Sequence, residues 1–336
     1  MPTTNYVVSG LTAYVEQNRD LILKNFALVG TDTRRRIGIQ TGVKGSAHLH
    51  YLDIAPTLQS GEGCGFSAAG TATISEKTIA TAMIKVNLDI CDKLLVGKYA
   101  EYLVRINATI DELPYEQYLI DGLVNEINKK IEKYIWQGDT TSASTDLKWI
   151  NGFLKQFAGD GTVLTESIAS GSSAYAGIMQ VYASMPEEAL ERGGLIFVSP
   201  AIYKAFIMDL VALNYYHYAG PNAAYPDEFY LPGSDVKVVK TPGLSGSLKI
   251  VGTFGDNLVY GCDMEGDEED VKVWFSDDDD VWKLKVLWNS GVAYHFGNQV
   301  VLGTFAAAPS ALAPLASVMN DVHDTANHAI TTKASA

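Results

Sequence analysis

The sequence has 336 residues, 47% of them apolar, which is enough for a buried core in one large domain or two ordinary ones. Its 25 basic and 39 acidic residues give a formal charge of −14, which disfavours tight binding to nucleic-acid phosphates. No window approaches the roughly 20 apolar residues of a membrane span, and the N-terminus lacks a secretory signal pattern. These features predict a protein that is made in the cytosol and has no membrane segment.

The first predicted element is an N-terminal helix within residues 9–30, where apolar residues form a loose stripe. The polar segment that follows, "TDTRRRIGIQTGVKGSA", predicts an extended connection. It contains Arg34, Arg35 and Arg36, which we interpret as partners for carboxylates rather than as an anion site.

The segment from His48 to Cys91 predicts a projecting arm. Two strand-like stretches flank residues 60–70, where glycine, serine and alanine surround a single cysteine and offer little to bury. The second half of this segment contains the clearest strand in the protein, because apolar and polar residues alternate strictly from Ile84 to Ile90. One face of that strand is expected to be buried.

The stretch "DELPYEQYLIDGLVNEINKKIEKYIWQGD" predicts a long helix. Pro114 suits its first turn, Gly138 suits the position after its end, and apolar residues recur every three or four positions between them. Such a helix would be about 33 Å long, which is typical of a strut.

From about residue 140 the pattern alternates between helix and strand. "SSAYAGIMQVYASM" and "PEEALERG" predict helices, and Leu195–Val198 predicts a buried strand, after which Ser199 caps a helix that begins at Pro200. A tyrosine-rich loop with three prolines follows, and "DVKVVKTPGL" and "SLKIVGTF" predict further strands.

The last structured part, "NLVYGCDMEGDEEDVKVWFSDDDDVWKLKVLWNSGVAYHFGNQVVLGTF", predicts an antiparallel meander. The run Asp277–Asp280 falls where two alternating strands must turn, which favours a solvated hairpin tip. The alanine-rich residues beyond Phe305 predict a tail.

Candidate chemistry is sparse. His48 and His50 would point the same way from a strand, but with no third ligand nearby we interpret them as ordinary strand residues. The four aspartates of the acidic run (Asp277, Asp278, Asp279 and Asp280) are weak candidates for a hard cation, because the run lacks the EF-hand spacing. Cys64, Cys91 and Cys262 are scattered and form no CxxC pair. The sequence predicts no cofactor.

The order of these parts resembles the major capsid proteins of tailed bacteriophages, whose Hong Kong 97-like (HK97-like) fold also occurs in herpesvirus shell floors and encapsulins. "HLHYLDIAPTLQSGEGCGF" and "ISEKTIATAMIKVNLDIC" are similar to the family's extended loop, and "YLIDGLVNEINKKIEKYIWQGDT" is similar to its spine helix. "GGLIFVSPAIYKAFI" and "LPGSDVKVVKTPGLSG" resemble strands of its axial domain. The sequence of the arm is similar in character to that of capsid proteins from phages of Bacteroidetes-type gut bacteria.

The resemblance implies an α+β subunit with an HK97-like fold and a division into defined regions. These are an N-terminal arm (1–37), an extended loop (38–80), a peripheral domain (81–140) with its spine helix (112–137), an axial domain (141–254), a closing peripheral sheet (255–305) and a C-terminal tail (306–336). It also implies a separate scaffolding protein or a chain in mature form.

The resemblance further implies that copies of the chain form pentamers and hexamers of a shell that encloses DNA. Expected partners are scaffolding, portal and decoration proteins, and the expected location is the virion, after assembly in the host cytoplasm. The acidic turn would then need a basic partner or a divalent ion. The predicted assembly residues are Arg34, Arg35, Arg36, Tyr51, Leu52, Ile54, Leu58, Cys64, Phe66, Tyr215, Tyr216, Tyr218 and Tyr225.

Two alternatives remain open at this stage. An encapsulin-like compartment for cargo proteins would share the fold. An α/β hydrolase or glycan-active enzyme would instead need a pocket with convergent titratable groups.

Overall fold

The computed structural model describes residues 32–59, 69–90, 115–215, 228–263, 270–276, 278–279 and 281–309. The chain divides into two units. Unit 1 comprises Met1–Gln156 and Leu258–His295, and unit 2 comprises Phe157–Asn257 and Phe296–Ala336. The predicted N-terminal helix and C-terminal tail lie outside the described residues.

Unit 1 contains a five-stranded sheet organised by its longest strand, β12. One edge of β12 pairs first with β11 and then with β10, its other edge pairs with β4, and β1 joins β10 in parallel. The strands are β1 (Gly38–Gln40), β4 (Ala82–Ile90), β10 (Leu258–Cys262), β11 (Asp270–Ser276) and β12 (Val281–Tyr294). The predicted hairpin of β11 and β12 is confirmed, whereas the parallel pairing of β1 was not predicted.

The predicted buried face of β4 is only partly correct. Ile84 is 6% exposed, as expected, but Leu88, on the same face, is 38% exposed. Ile84 is paired with Trp288 and Leu88 with Leu284. Burial therefore decreases along the strand, which alternation in the sequence does not reveal.

The spine helix, α1, runs from Tyr115 to Gln137 and confirms the predicted strut, while residues 112–114 lie outside the described part. Its buried face repeats at three- and four-residue steps, as expected for a helix that packs on one side. The apolar residues of that face are Val124, Ile127, Ile131, Tyr134 and Ile135.

The turn after α1 is stabilised by Asp139. Its carboxylate accepts hydrogen bonds from the backbone N–H of Thr141 at 2.9 Å and from Nζ of Lys155 at 3.0 Å. Hydrogen bonds from Thr141 and Lys155 lower the pKa of Asp139 to about 2. The next helix, α2 (Phe153–Gly159), carries the chain from unit 1 into unit 2.

Unit 2 is a six-stranded mixed sheet with helices packed against it. In spatial order its strands are β5 (Leu164–Ile168), β13 (Val301–Phe305), β9 (Lys249–Phe254), β6 (Gly194–Val198), β8 (Lys237–Lys240) and β7 (Glu228–Tyr230). Its helices are α3 (Ala174–Ala183), α4 (Glu187–Glu191) and α5 (Pro200–Ala212). Single 3-10 turns occupy Pro242–Leu244, Gly255–Asn257 and Gly297–Gln299.

Local signals correctly predicted much of unit 2. The hydroxyl of Ser199 accepts a hydrogen bond from the backbone N–H of Ile202, and α5 begins at Pro200, so the predicted cap is confirmed. Strands β6, β8 and β9 also lie where the sequence predicts them.

Two predictions about this part of the chain were wrong. The closing sheet predicted for 255–305 ends at Tyr294, because β13 pairs in parallel with β5 and antiparallel with β9 in unit 2. The tyrosine-rich loop was predicted to contain no element, yet its last residues form β7, which pairs with β8. The first error concerns pairings between segments that are distant in sequence, whereas β7 and β8 form a local hairpin that the irregular sequence of the loop did not reveal.

Candidate assembly surface

The predicted arm is a long hairpin of β2 (Ser46–Pro56) and β3 (Gly70–Ala80). The two strands pair antiparallel along their whole length, from Ser46 opposite Ala80 to Pro56 opposite Gly70, and together they form a separate two-stranded sheet. Strands of 11 residues are about 36 Å long. The hairpin therefore provides an extended arm.

The base of the hairpin is anchored on unit 1. Leu49 is 7% exposed and Ile79 is fully buried, and both form a cluster with Val259 and Ala293 of the five-stranded sheet. Lys77 adds a cation–π contact, with Nζ 3.6 Å from the ring centre of Tyr294. The near half of the arm is thus fixed by packing within its own chain.

The far end of the hairpin has no such cover among the described residues. Residues 56–59 and 69–72 are all exposed, and Leu58 is 98% exposed. A single exposed leucine is ordinary on a protein surface. At the end of a long arm, however, it provides an apolar side chain available to another molecule.

The two histidines lie on the exposed side of β2. His48 and His50 both lie beside Glu76 of β3, with Nδ1 of His50 4.0 Å from that carboxylate. In the part of the chain that the structure describes, no group of three or more His, Cys, Asp or Glu side chains is arranged to hold a metal ion. Both histidines therefore have a carboxylate neighbour on β3, and their interpretation as ordinary strand residues stays a prediction.

The other predicted residues of the arm are only partly described. Tyr51, Leu52 and Ile54 lie in β2. Cys64 and Phe66 lie outside the described residues. Leu58 is thus the predicted arm residue whose exposure the structure establishes.

The predicted tyrosine cluster is represented by Tyr215 alone, since Tyr216, Tyr218 and Tyr225 are outside the described residues. Tyr215 is 39% exposed, and its ring centre lies 5.9 Å from that of Tyr175. Part of its ring therefore packs within unit 2 and part faces solvent.

Arg34 was wrongly predicted as an assembly residue, because it is buried inside unit 1 with 1% exposure. Its Nη2 donates to Oδ1 of Asn128 at 2.8 Å, and its guanidinium lies 5.5 Å from the ring centre of Tyr260. Arg35, by contrast, is exposed and pairs with Asp32 at 2.9 Å, which fits the predicted carboxylate partnership.

Arg36 donates to the backbone oxygen of Asp32. Its assignment to an interface, like that of Arg35, stays a prediction. The three arginines therefore do not form one patch, because Arg34 points into the core.

A buried polar network joins the segment before β1 to the spine helix. Nε1 of Trp136 donates to the hydroxyl of Thr33 at 2.7 Å, and that hydroxyl also bonds to Glu132. Farther along, the hydroxyl of Tyr134 bonds to that of Ser290 at 2.9 Å, and burial raises the pKa of Tyr134. No local sequence pattern predicts these contacts, because Thr33 and Trp136, like Tyr134 and Ser290, are more than 100 residues apart.

The acidic turn is confirmed as a hairpin tip, with Ser276 paired to Val281. Asp278 and Asp279 are exposed there, while Asp277 and Asp280 lie outside the described residues. Asp279 forms an ion pair with Lys283, which lowers the pKa of Asp279 and raises that of Lys283. One negative charge of the acidic run is therefore already paired with a lysine of the same chain.

In the described residues, no helix is both long and apolar enough to cross a membrane.

Solved structures resemble this chain over most of its length. A chain of the satellite phage P4 procapsid, which includes the size determination protein Sid, matches with a TM-score of 0.58 and 11% identity, covering 87% of this chain and 100% of its own. A chain from the capsid of an empty GTA particle matches at 0.52 with 12% identity, covering 84% and 90%. A chain of Microbacterium phage Oxtober96 matches at 0.53 with 11% identity, covering 83% and 92%.

No protein-family model and no curated protein sequence matches this chain. At such low identity the likeness establishes the fold. The chain is thus an α+β protein with the fold of phage capsid proteins, the HK97-like fold, as its sequence predicted.

Proposed function

We propose that this chain is the major capsid protein of a tailed phage. Copies of it form pentamers and hexamers, and these close into an icosahedral shell around double-stranded DNA. The observation that carries the proposal is the hairpin β2–β3, which is anchored at its base and exposed at the described residues of its far end, 56–59 and 69–72. The likeness in fold to chains from phage particles supports it.

The physical argument starts from the uncovered end of the arm. A two-stranded ribbon is only marginally stable in water unless it packs on something. The base of this ribbon packs on its own unit, so the far end gains most if it lies across a neighbouring copy. At about 25 cal/mol per Å² of apolar surface, a modest overlap repeated around each subunit stabilises a shell through many weak contacts.

Charge supports the proposed contents of the shell. A subunit with a net charge of −14 repels DNA phosphates at long range. A wall of such subunits would hold a densely packed polyanion without adhering to it. We propose that scaffolding, portal and decoration proteins act with the shell, and that assembly takes place in the cytoplasm of a host bacterium.

Electron microscopy of the purified full-length chain tests the proposal. The chain is to be expressed alone and together with its neighbouring genes, so that a separate scaffold is supplied if one is needed. We expect closed shells or capsomer rings in at least one of the two preparations. Uniform monomers in both would contradict a shell-forming role.

The contents of the particles distinguish a phage shell from an encapsulin-like compartment. We expect particles from infected cells to contain nuclease-protected double-stranded DNA. Particles filled with a single cargo protein and free of DNA would replace the phage assignment with the compartment.

A further inference from the structure

Asp263 is a buried carboxylate that has no hydrogen-bond partner among the described residues. It follows the last residue of β10 and has 0% exposure. In the part of the chain that the structure describes, no group donates a hydrogen bond to either of its oxygens. A buried carboxylate without compensation is strongly destabilising, so its presence needs an explanation.

A second residue with an unpaired oxygen lies next to Asp263 in the sheet. The last pair between β10 and β12 joins Cys262 to Ser290, so the next position places Asp263 beside Asn289 on one face. Asn289 is 4% exposed and its Oδ1 has no hydrogen-bond partner. Its Nδ2 donates to the backbone oxygen of Val43 at 3.3 Å, which leaves the amide oxygen free to accept.

The backbone of Val43 is hydrogen-bonded to both strands, to Cys262 of β10 and to Asn289 of β12. Its backbone N–H donates to the oxygen of Cys262 at 3.2 Å, while its own oxygen accepts from Asn289. The start of the arm therefore lies against the end of β10.

Thr81 supplies a fourth unpaired oxygen on the same face. It is the residue between β3 and β4, and its Oγ1 is buried without a partner. Its methyl carbon lies 3.6 Å from the place a Cβ on Gly261 would occupy, two residues before Asp263 on the same side of β10. Its backbone N–H donates to Gly45 at 2.9 Å, which fixes it at the base of the arm.

We infer that Asp263, Asn289 and Thr81 bind a calcium-like metal cation at the base of the hairpin. All four unpaired side-chain atoms are oxygens, the ligands that hard cations prefer. A water molecule could satisfy the neutral oxygens but would leave the carboxylate charge uncompensated. Calcium also loses its hydration shell more readily than magnesium, which suits a buried site.

The site contains a single carboxylate, and this limits the calcium affinity that we expect. Because calcium affinity rises with the number of charged ligands, a dissociation constant of about 10⁻⁴–10⁻³ M is expected. The acidic turn at Asp278 is separate, since Asp278 is exposed and lies at the far end of β12. The bound cation would fasten the base of the arm to the five-stranded sheet, and this role does not depend on the proposed function.

Equilibrium dialysis with radioactive calcium tests the inference on full-length, unassembled subunits. We expect one ion per chain, with binding lost in Asp263→Asn and retained in Asp278→Asn, the matched control for surface charge. Thr81→Val, which keeps the branched shape but removes the hydroxyl, should bind several-fold more weakly. No calcium binding, or equal binding by Asp263→Asn, would overturn the inference.

Thermal unfolding provides an independent measurement. Calcium at about ten times its dissociation constant should raise the unfolding midpoint of the natural chain by about 2–4 °C relative to EDTA. The midpoint of Asp263→Asn should not respond. In EDTA this variant should be at least as stable as the natural chain, because it buries no charge; a large loss of stability there would contradict an unpaired carboxylate. Since no shell is needed, failure here would not affect the proposed function.

Discussion

Gly138 and Gly152 bring the end of the spine helix against the backbone that leads into α2. The N–H of Gly138 donates to Tyr134, and the N–H of Gly152 donates to Gly138, each at 2.9 Å. A Cβ on Gly138 would lie 2.5 Å from the oxygen of Tyr134 and 2.6 Å from that of Ile150. Gly138 does not have a positive φ. Gly138 directly follows the end of the helix, as predicted. The reason why glycine is needed there, however, is the close approach of neighbouring backbone atoms.

Two glycine substitutions, one within α1 and one directly after its end, should therefore have opposite effects. Gly138→Ala should lower the free energy of unfolding by about 1–3 kcal/mol, because the atoms that the new Cβ would meet are backbone atoms that cannot move aside easily. Gly122→Ala should raise it by about 0.5–1 kcal/mol, since a Cβ there meets nothing within 4 Å and alanine favours helix.

Urea denaturation of the full-length subunits, followed by circular dichroism, measures both changes. Equal stability of Gly138→Ala and the natural chain would refute the close-contact explanation.

At the scale of elements, the hairpin β2–β3 separates folding from assembly. Its base contributes Leu49 and Ile79 to the interior of unit 1, whereas Leu58 contributes nothing to the isolated subunit. Substitutions at the two ends of one element should thus have different consequences.

Leu58→Asp tests this separation. The subunit should keep its stability to within about 0.5 kcal/mol, because the side chain is 98% exposed. Assembly should require at least about a tenfold higher protein concentration, because a leucine worth about 1.5–3 kcal/mol on burial is replaced by a charge.

Light scattering against protein concentration measures the threshold, and Leu58→Ile is the control that keeps the apolar surface. If Leu58→Asp assembles at the concentration of the natural chain, Leu58 is not covered by a neighbour.

The elements also show what the sequence could predict. The strand Leu195–Val198, its cap Ser199 and the helix from Pro200 follow from neighbouring residues, and all three were correct. Arg34 was misassigned because its partner Asn128 lies 94 residues away. The pairing of β13 with β5 and the unpaired Asp263 also depend on distant segments, which local patterns do not encode.

At the scale of the whole molecule, the net charge of −14 opposes the association of identical copies. Raising NaCl from about 0.05 to about 0.5 M shortens the screening length from about 14 Å to about 4 Å. The protein concentration needed for assembly should therefore fall several-fold over this range.

Sedimentation of shells from free subunits measures this threshold, with sucrose at equal osmolality as the control for excluded-solute effects. A threshold that rises with salt would mean that attraction between opposite charges dominates the contacts.

Only Thr81 separates β3 from β4, and β4 is paired with β12 along its whole length. The hairpin therefore joins β4 of the sheet through a single residue, and it would tilt as a stiff lever about that point. For a lever of about 36 Å, a tilt of about 10° at the fulcrum moves the tip by about 6 Å. Subunits of a curved shell meet their neighbours at several angles. A small tilt at Thr81 would let the same chain fit both the flat and the sharply curved regions of such a shell.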